Sequence, residues 1–112
     1  MQHNELVTKK CEPCARGTLP LTEAEVELLT PSLSNDWKVV DLHHIEREFR
    51  FADFKQALDY TVKIGAVAEL EGHHPDIELS WGKVKITLWT HKIKGLSLND
   101  FILAAKIDTI EN

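Results

Sequence analysis

Residues 53–88 read DFKQALDYTVKIGAVAELEGHHPDIELSWGKVKITL, and the change of hydrophobic period within them decides the fold. In the first half, Phe54, Ala57, Leu58, Thr61, Ile64, Gly65 and Ala68 recur at intervals of three and four, the spacing of one face of a helix. Asp53 with Gln56 supplies an N-cap pattern, and Gly72 a left-handed stop after about five turns. In the second half the period falls to two. Ile77, Leu79 and Trp81 alternate with Glu78 and Ser80; beyond Gly82, Val84, Ile86 and Leu88 alternate with Lys83, Lys85 and Thr87. That alternation predicts a hairpin with one face buried and the other solvated.

Working outward, the same signals recur on both sides. Thr22 and Glu25 form a capping box with Leu21 and Val26 as its staple, so a helix starts at Glu23; it ends near Pro31, which disfavours helical geometry in the residue before it. Trp37–Asp41 and Ile45–Phe51 read as a first hairpin, with Arg47 the one charged residue in the apolar phase. Ser97 with Asp100, and Leu96 with Phe101, open a C-terminal helix that runs through about Ile110. The order helix, hairpin, helix, hairpin, helix predicts an α+β fold: a four-stranded antiparallel sheet with helices packed on one face.

The chain has 112 residues, 43% apolar and 28% charged, which fits one domain with a single core and a site in a surface cleft or between subunits. Residues 1–20, punctuated by Pro13, Gly17 and Pro20, read as a mobile arm before a single domain over 21–112. The net charge of −5, from 13 basic and 18 acidic residues, argues against nucleic-acid binding through phosphate neutralisation. Lys83, Lys85, Lys92 and Lys94 form a lightly populated basic stretch broken by apolar residues, which reads mainly as solvated strand edges and otherwise as a place to hold an anionic part of a ligand. No stretch approaches the roughly 18 apolar residues of a membrane span, and Met1-Gln2-His3-Asn4-Glu5 does not resemble a signal peptide, so a cytoplasmic protein is expected. Cys11 and Cys14 form a lone C-x-x-C, two ligands short of a structural zinc site and outside the strand-to-helix setting of a redox pair.

Histidine placement points to chemistry. His73, His74 and Pro75 lie between the long helix and the second hairpin, and His91 follows the last strand. A folded-back hairpin brings His91 toward His73 and His74, so three imidazoles meet at one rim. Glu69, four residues before His73 and about 20° around the wheel from Leu58, borders the apolar stripe. There it either orients an imidazole for acid and base work near neutral pH or forms an ordinary helix-end pair. A metal held by Glu69, His73, His74 and His91 is the rival reading, weakened because no His-x-x-x-His brings two ligands to one face. His43 and His44 read as turn residues, Trp37 as core or interface, and Trp81 as a packing residue.

The run Glu69-x-x-x-His73-His74-Pro75, five residues to Trp81, nine more to His91 and eight more to Asp100 resembles the signature of the pterin-4a-carbinolamine dehydratases. The resemblance extends to the Leu-Thr-Glu helix opening, Trp37, the aromatic run Phe49, Phe51 and Phe54, and Gly95-Leu96-Ser97; it spans roughly Leu19 to Ile107. It implies a cytoplasmic hydro-lyase that removes water from 4a-hydroxytetrahydrobiopterin in tetrahydrobiopterin recycling, downstream of an aromatic amino-acid hydroxylase. It implies neither metal nor cofactor, and a homodimer or homotetramer. His73, His74 and His91 become the catalytic candidates, and Glu69, Pro75, Thr90, Trp37 and Asp100 the substrate-binding candidates. Asp100 is ambiguous, since it also stands at the third helical position of the Ser97 cap, and capping is the reading favoured for it. Gly72 and Ile93 depart from residues common in relatives, which bears on pterin side-chain preference. The alternatives are an interaction module, because animal relatives also act as dimerisation cofactors of a transcription factor, and a pterin binder without turnover.

Overall fold

The computed structural model describes residues 3–13 and 17–110. Its elements are α1 (His3–Thr8), α2 (Glu23–Leu29), a 3-10 turn at Thr30–Ser32, β1 (Lys38–Val40), β2 (His44–Arg50), α3 (Phe54–Glu71), β3 (Asp76–Ser80), β4 (Lys83–Leu88), a 3-10 turn at His91–Ile93 and α4 (Leu98–Asp108). The strands form one antiparallel sheet in the order β1-β2-β4-β3. The expected order of helices and hairpins therefore lacked one element, the N-terminal helix.

Strand alternation sorts the two faces. Ile45, Phe49, Val84, Ile86 and Leu88 are buried on one side. On the other, Glu48 is opposite Lys85 and Arg50 opposite Lys83, while Lys85 also reaches Glu46 at 3.4 Å. The helices complete the core on the apolar side: α3 packs on β3, β4 and α4, and α1 packs on α4. Helix α4 is almost entirely interior, with Phe101, Ile102, Leu103, Ala104, Ala105 and Ile107 all buried.

Arg47, the charge in an apolar phase, is neutralised where it lies. It meets Asp108 of α4 at 2.5 Å and covers the Phe49 ring at 4.2 Å. The same carboxylate accepts from the Trp37 indole at 2.7 Å.

Three expectations need correction. The mobile arm expected over residues 1–20 does not hold for residues 3–13, where α1 is docked on α4 with Leu6 fully buried, and Cys11 is buried as well. The buried stripe of α3 is Ala57, Tyr60, Ile64, Ala68 and Glu71, whereas Phe54 and Leu58 are exposed; the helix is rotated so that a second apolar row faces outward. Trp81 stands in the β3–β4 turn with 68% of its surface exposed, so it does not pack in the core.

Candidate active site

Two loop closures place the histidines. At the end of α3, Gly72 adopts φ 66°, a left-handed conformation costly to residues with a Cβ, and its N–H returns to the carbonyls of Ala68 and Glu69. The chain leaves the helix at once, presenting His73, His74 and Pro75 before β3 begins. After β4, Thr90 and Gly95 pair across an isolated bridge and close a tight loop around His91. A Cβ on Gly95 would lie 2.8 Å from Pro20, so this loop also requires glycine to let the chain at Pro20 approach. Because β3 and β4 pair antiparallel with Asp76 opposite Thr87, the two loops share one end of the sheet.

Between them lies a cleft of about 520 Å3 whose lining includes His73, His74, Pro75, Thr90 and His91. Four of its other residues were not anticipated as site residues: Glu71, Trp89, Asn99 and the N-terminal Glu12. Trp89 stacks on His91 with ring centres 3.9 Å apart and also meets His43 at 4.4 Å. The available signal was a large aromatic in the polar phase of β4, one residue before Thr90. Contact with Trp89 also gives His43 more than a turn position.

The two adjacent imidazoles have different partners. His73 Nε2 lies 2.6 Å from Asp100 Oδ1. Asp100 is fully buried, and its other oxygen accepts from Thr90 Oγ1 and from the Ser97 N–H, each at 2.9 Å. Thr90 Oγ1 in turn lies 2.7 Å from Ser97 Oγ. Since a carboxylate only accepts, Nε2 of His73 carries a proton, and Nδ1 is the nitrogen not engaged by Asp100. His74 Nε2 meets Glu69 at 2.5 Å, but both side chains are well exposed, at 61% and 78%.

The expected candidates thus divide. His73, His74, His91, Pro75 and Thr90 converge. Glu69 lies outside the cleft lining and pairs with His74 rather than His73: the rotation that exposes Leu58 carries Glu69 outward too. Asp100 is fully buried and is not itself part of the cleft lining; it is bonded to two lining residues, His73 and Thr90. Trp37 is 4% exposed and bonded to Asp108, away from the cleft. Among the described residues, no three His, Cys, Asp or Glu side chains converge as a metal site requires.

One further carboxylate organises the cleft floor. Glu71 accepts from the Cys11 N–H at 2.9 Å and from Lys106 Nζ at 2.9 Å. Burial works to raise its pKa, but the Cys11 N–H and the Lys106 ammonium outweigh it and hold the carboxyl below its ordinary value. The Cys11 thiol moves the other way, pushed up to about 12 by burial and by the charge of Glu71, so it stays protonated at neutral pH. Cys14, the second cysteine of the C-x-x-C, falls outside the described residues.

Residues 19–110 match the family model for pterin 4 alpha carbinolamine dehydratase. A protein of Alkaliphilus metalliredigens named "Putative pterin-4-alpha-carbinolamine dehydratase" is 59% identical over 94% of this chain and 95% of its own length. One of the same name from Rickettsia canadensis is 48% identical over 93% and 95%. Among solved structures, a transcriptional coactivator/pterin dehydratase from Brucella melitensis superposes with a TM-score of 0.72 at 32% identity, covering 79% of this chain and 94% of that one. The match to the family model over most of the sequence, joined to the sheet topology, establishes that this chain belongs to the pterin-4a-carbinolamine dehydratase family.

Proposed function

We propose that the chain is a 4a-hydroxytetrahydrobiopterin dehydratase working by histidine acid and base catalysis, within tetrahydrobiopterin recycling beside an aromatic amino-acid hydroxylase. The observation that carries the reading is the convergence of His73, His74 and His91 on one cleft, with His73 held by the buried Asp100.

In the reaction the C4a–O bond breaks and a C4a=N5 double bond forms. The N5 proton leaves to a base, and the departing oxygen receives a proton to become water. Two imidazoles with exchangeable protons satisfy both needs, each well-placed transfer contributing roughly a hundred- to ten-thousandfold in rate. His73 presents Nδ1 with its ring fixed through Nε2. His91 is exposed, lines the cleft and is braced by Trp89, which sets its ring plane. His73 and His91 form the acid and base pair, with His74, steadied by Glu69, binding the substrate and able to share proton transfer. The residues supply both transfers, so the scheme requires no cofactor. Pro75 fixes the turn that aims His74, and the backbone of Thr90 borders the pterin.

Self-association into a homodimer or tetramer fits the outward row Phe54, Leu58 and Val62 on α3, exposed at 45%, 40% and 64%. No helix among the described residues is long and apolar enough to cross a membrane, which accords with a cytoplasmic enzyme.

The test is direct. Purified protein, with no metal added, is expected to accelerate dehydration of freshly generated 4a-hydroxytetrahydropterin followed by ultraviolet absorbance, and the His73→Ala, His91→Ala double variant to lose at least a hundredfold. Wild-type protein that binds pterin without turning it over would instead mark a binding or interaction module. Full activity in the double variant would move the chemistry elsewhere.

A further inference from the structure

One wall of the cleft comes from outside residues 19–110, the part that matches the family model. Cys11, Glu12 and Pro13 line it. This strap is clamped at consecutive residues. Asn99 accepts from the Glu12 N–H at 3.0 Å through Oδ1 and donates to the Glu12 carbonyl at 2.5 Å through Nδ2, an arrangement that imitates a strand pairing. Beside it, the Cys11 N–H donates to Glu71, and its thiol donates to the Asn99 carbonyl at 3.5 Å. Glu71 is itself fixed by Lys106 and stands two residues before His73, so the strap and the imidazoles share an anchor.

With both backbone groups of Glu12 bonded to Asn99, its exposed carboxylate is the charged group that this wall holds. The other charged side chains of the cleft lining are Asp76 and Lys92, which offset one another, and Glu71, which is consumed by Cys11 and Lys106. A neutral hydroxylated substituent can donate to the Glu12 carboxylate, whereas an anionic substituent is repelled by it.

We propose that Cys11–Pro13, clamped by Asn99 and Glu71, is a specificity-determining wall that selects pterins with a neutral hydroxylated side chain over pterins with an anionic one. This rests on the dehydratase reading for its ligand class, and its test separates the two. Fluorescence titration with biopterin and with 6-carboxypterin, alongside the dehydration assay, is carried out on full-length wild type, Glu12→Lys, Asn99→Ala and Asn99→Asp.

Wild type is expected to favour biopterin by about tenfold, and Glu12→Lys to bring the two ligands within about threefold of each other. Asn99→Ala is expected to weaken biopterin binding and raise KM by about tenfold with a much smaller change in kcat, because both clamp bonds are lost. Asn99→Asp, which keeps the acceptor for the Glu12 N–H but loses the donor, is expected to fall between, and it carries the test if the alanine variant does not fold. An unchanged preference in Glu12→Lys, or wild-type binding in the Asn99 variants, overturns the wall. Binding with the expected preference but without turnover overturns the dehydratase reading and leaves the wall standing. Absence of binding to either pterin overturns both.

Discussion

His73 and His74 are neighbours in the chain, and each has a carboxylate within hydrogen-bonding distance, but the two pairs work under different conditions. The partner of His73 is the fully buried Asp100, whose oxygens are also bound by Thr90 and the Ser97 N–H; the partner of His74 is Glu69, with 78% of its side chain in solvent. A buried acceptor with all its bonds made fixes a proton's position, because any rearrangement strands a polar group away from water. An exposed pair is screened and can exchange its partner for water at little cost. Spacing along the helix suggests that Glu69 holds an imidazole; burial distinguishes holding it from touching it.

The strongest way to break this comparison is Asp100→Asn. The amide oxygen can still accept from Thr90 and Ser97, but its NH2 then faces His73 and demands the other tautomer, moving the proton to Nδ1. Dehydratase activity is expected to fall by about a hundredfold or more, with a stability loss of about 2 kcal/mol by urea denaturation. Activity within threefold of wild type would show that the His73 tautomer does not matter.

Glu71→Gln asks whether burial beside a cation generalises. Its loss is expected to cost about 2 kcal/mol at pH 7. The folded carboxyl lies below its ordinary value, so its contribution is complete above the unfolded carboxylate range and disappears as pH falls through the folded value. Denaturation at pH 7 and in acid should therefore show the wild-type advantage shrinking below about pH 4, and an advantage constant with pH would contradict the ion pair.

Thr90→Val keeps the shape while removing one donor to Asp100. An expected loss of about 1 kcal/mol, with a several-fold fall in activity, would grade the network between intact and broken. Glu69→Gln should be smallest, below about 0.5 kcal/mol and vanishing in 1 M salt, since both members of that pair are largely exposed. A large salt-independent loss from this substitution would erase the contrast between the two pairs.

Much of this was legible before folding. The capping pairs Thr22 with Glu25, Asp53 with Gln56 and Ser97 with Asp100 mark local events, each made within one turn, and they locate helix starts well. Arg47 was visible as an anomaly, although its partner Asp108 was not, since that contact joins residues 61 apart. The rotation of α3 was ambiguous because the helix carries two apolar rows, and periodicity alone does not say which row meets the sheet. That single ambiguity misplaced Phe54, Leu58 and Glu69 together. Trp89 and the strap at Cys11–Pro13 were overlooked for different reasons: one carries an aromatic signal that alternation assigns to the solvated phase, the other has no periodic signal at all.

The sequence by itself determined the elements from Leu21 onward, the family and the three imidazoles, because these depend on neighbours a few residues apart and on fixed gaps between motif residues. Tertiary structure alone decided which carboxylate pairs with which histidine, that Asp100 lies in the interior, and that residues far outside the motif wall the cleft. Those outcomes depend on burial and on contacts closing loops of 27 residues for His73 with Asp100 and 87 for Glu12 with Asn99. No local pattern encodes which surfaces a packed helix hides, and hiding them is what turns a carboxylate from a solvated charge into a fixed acceptor.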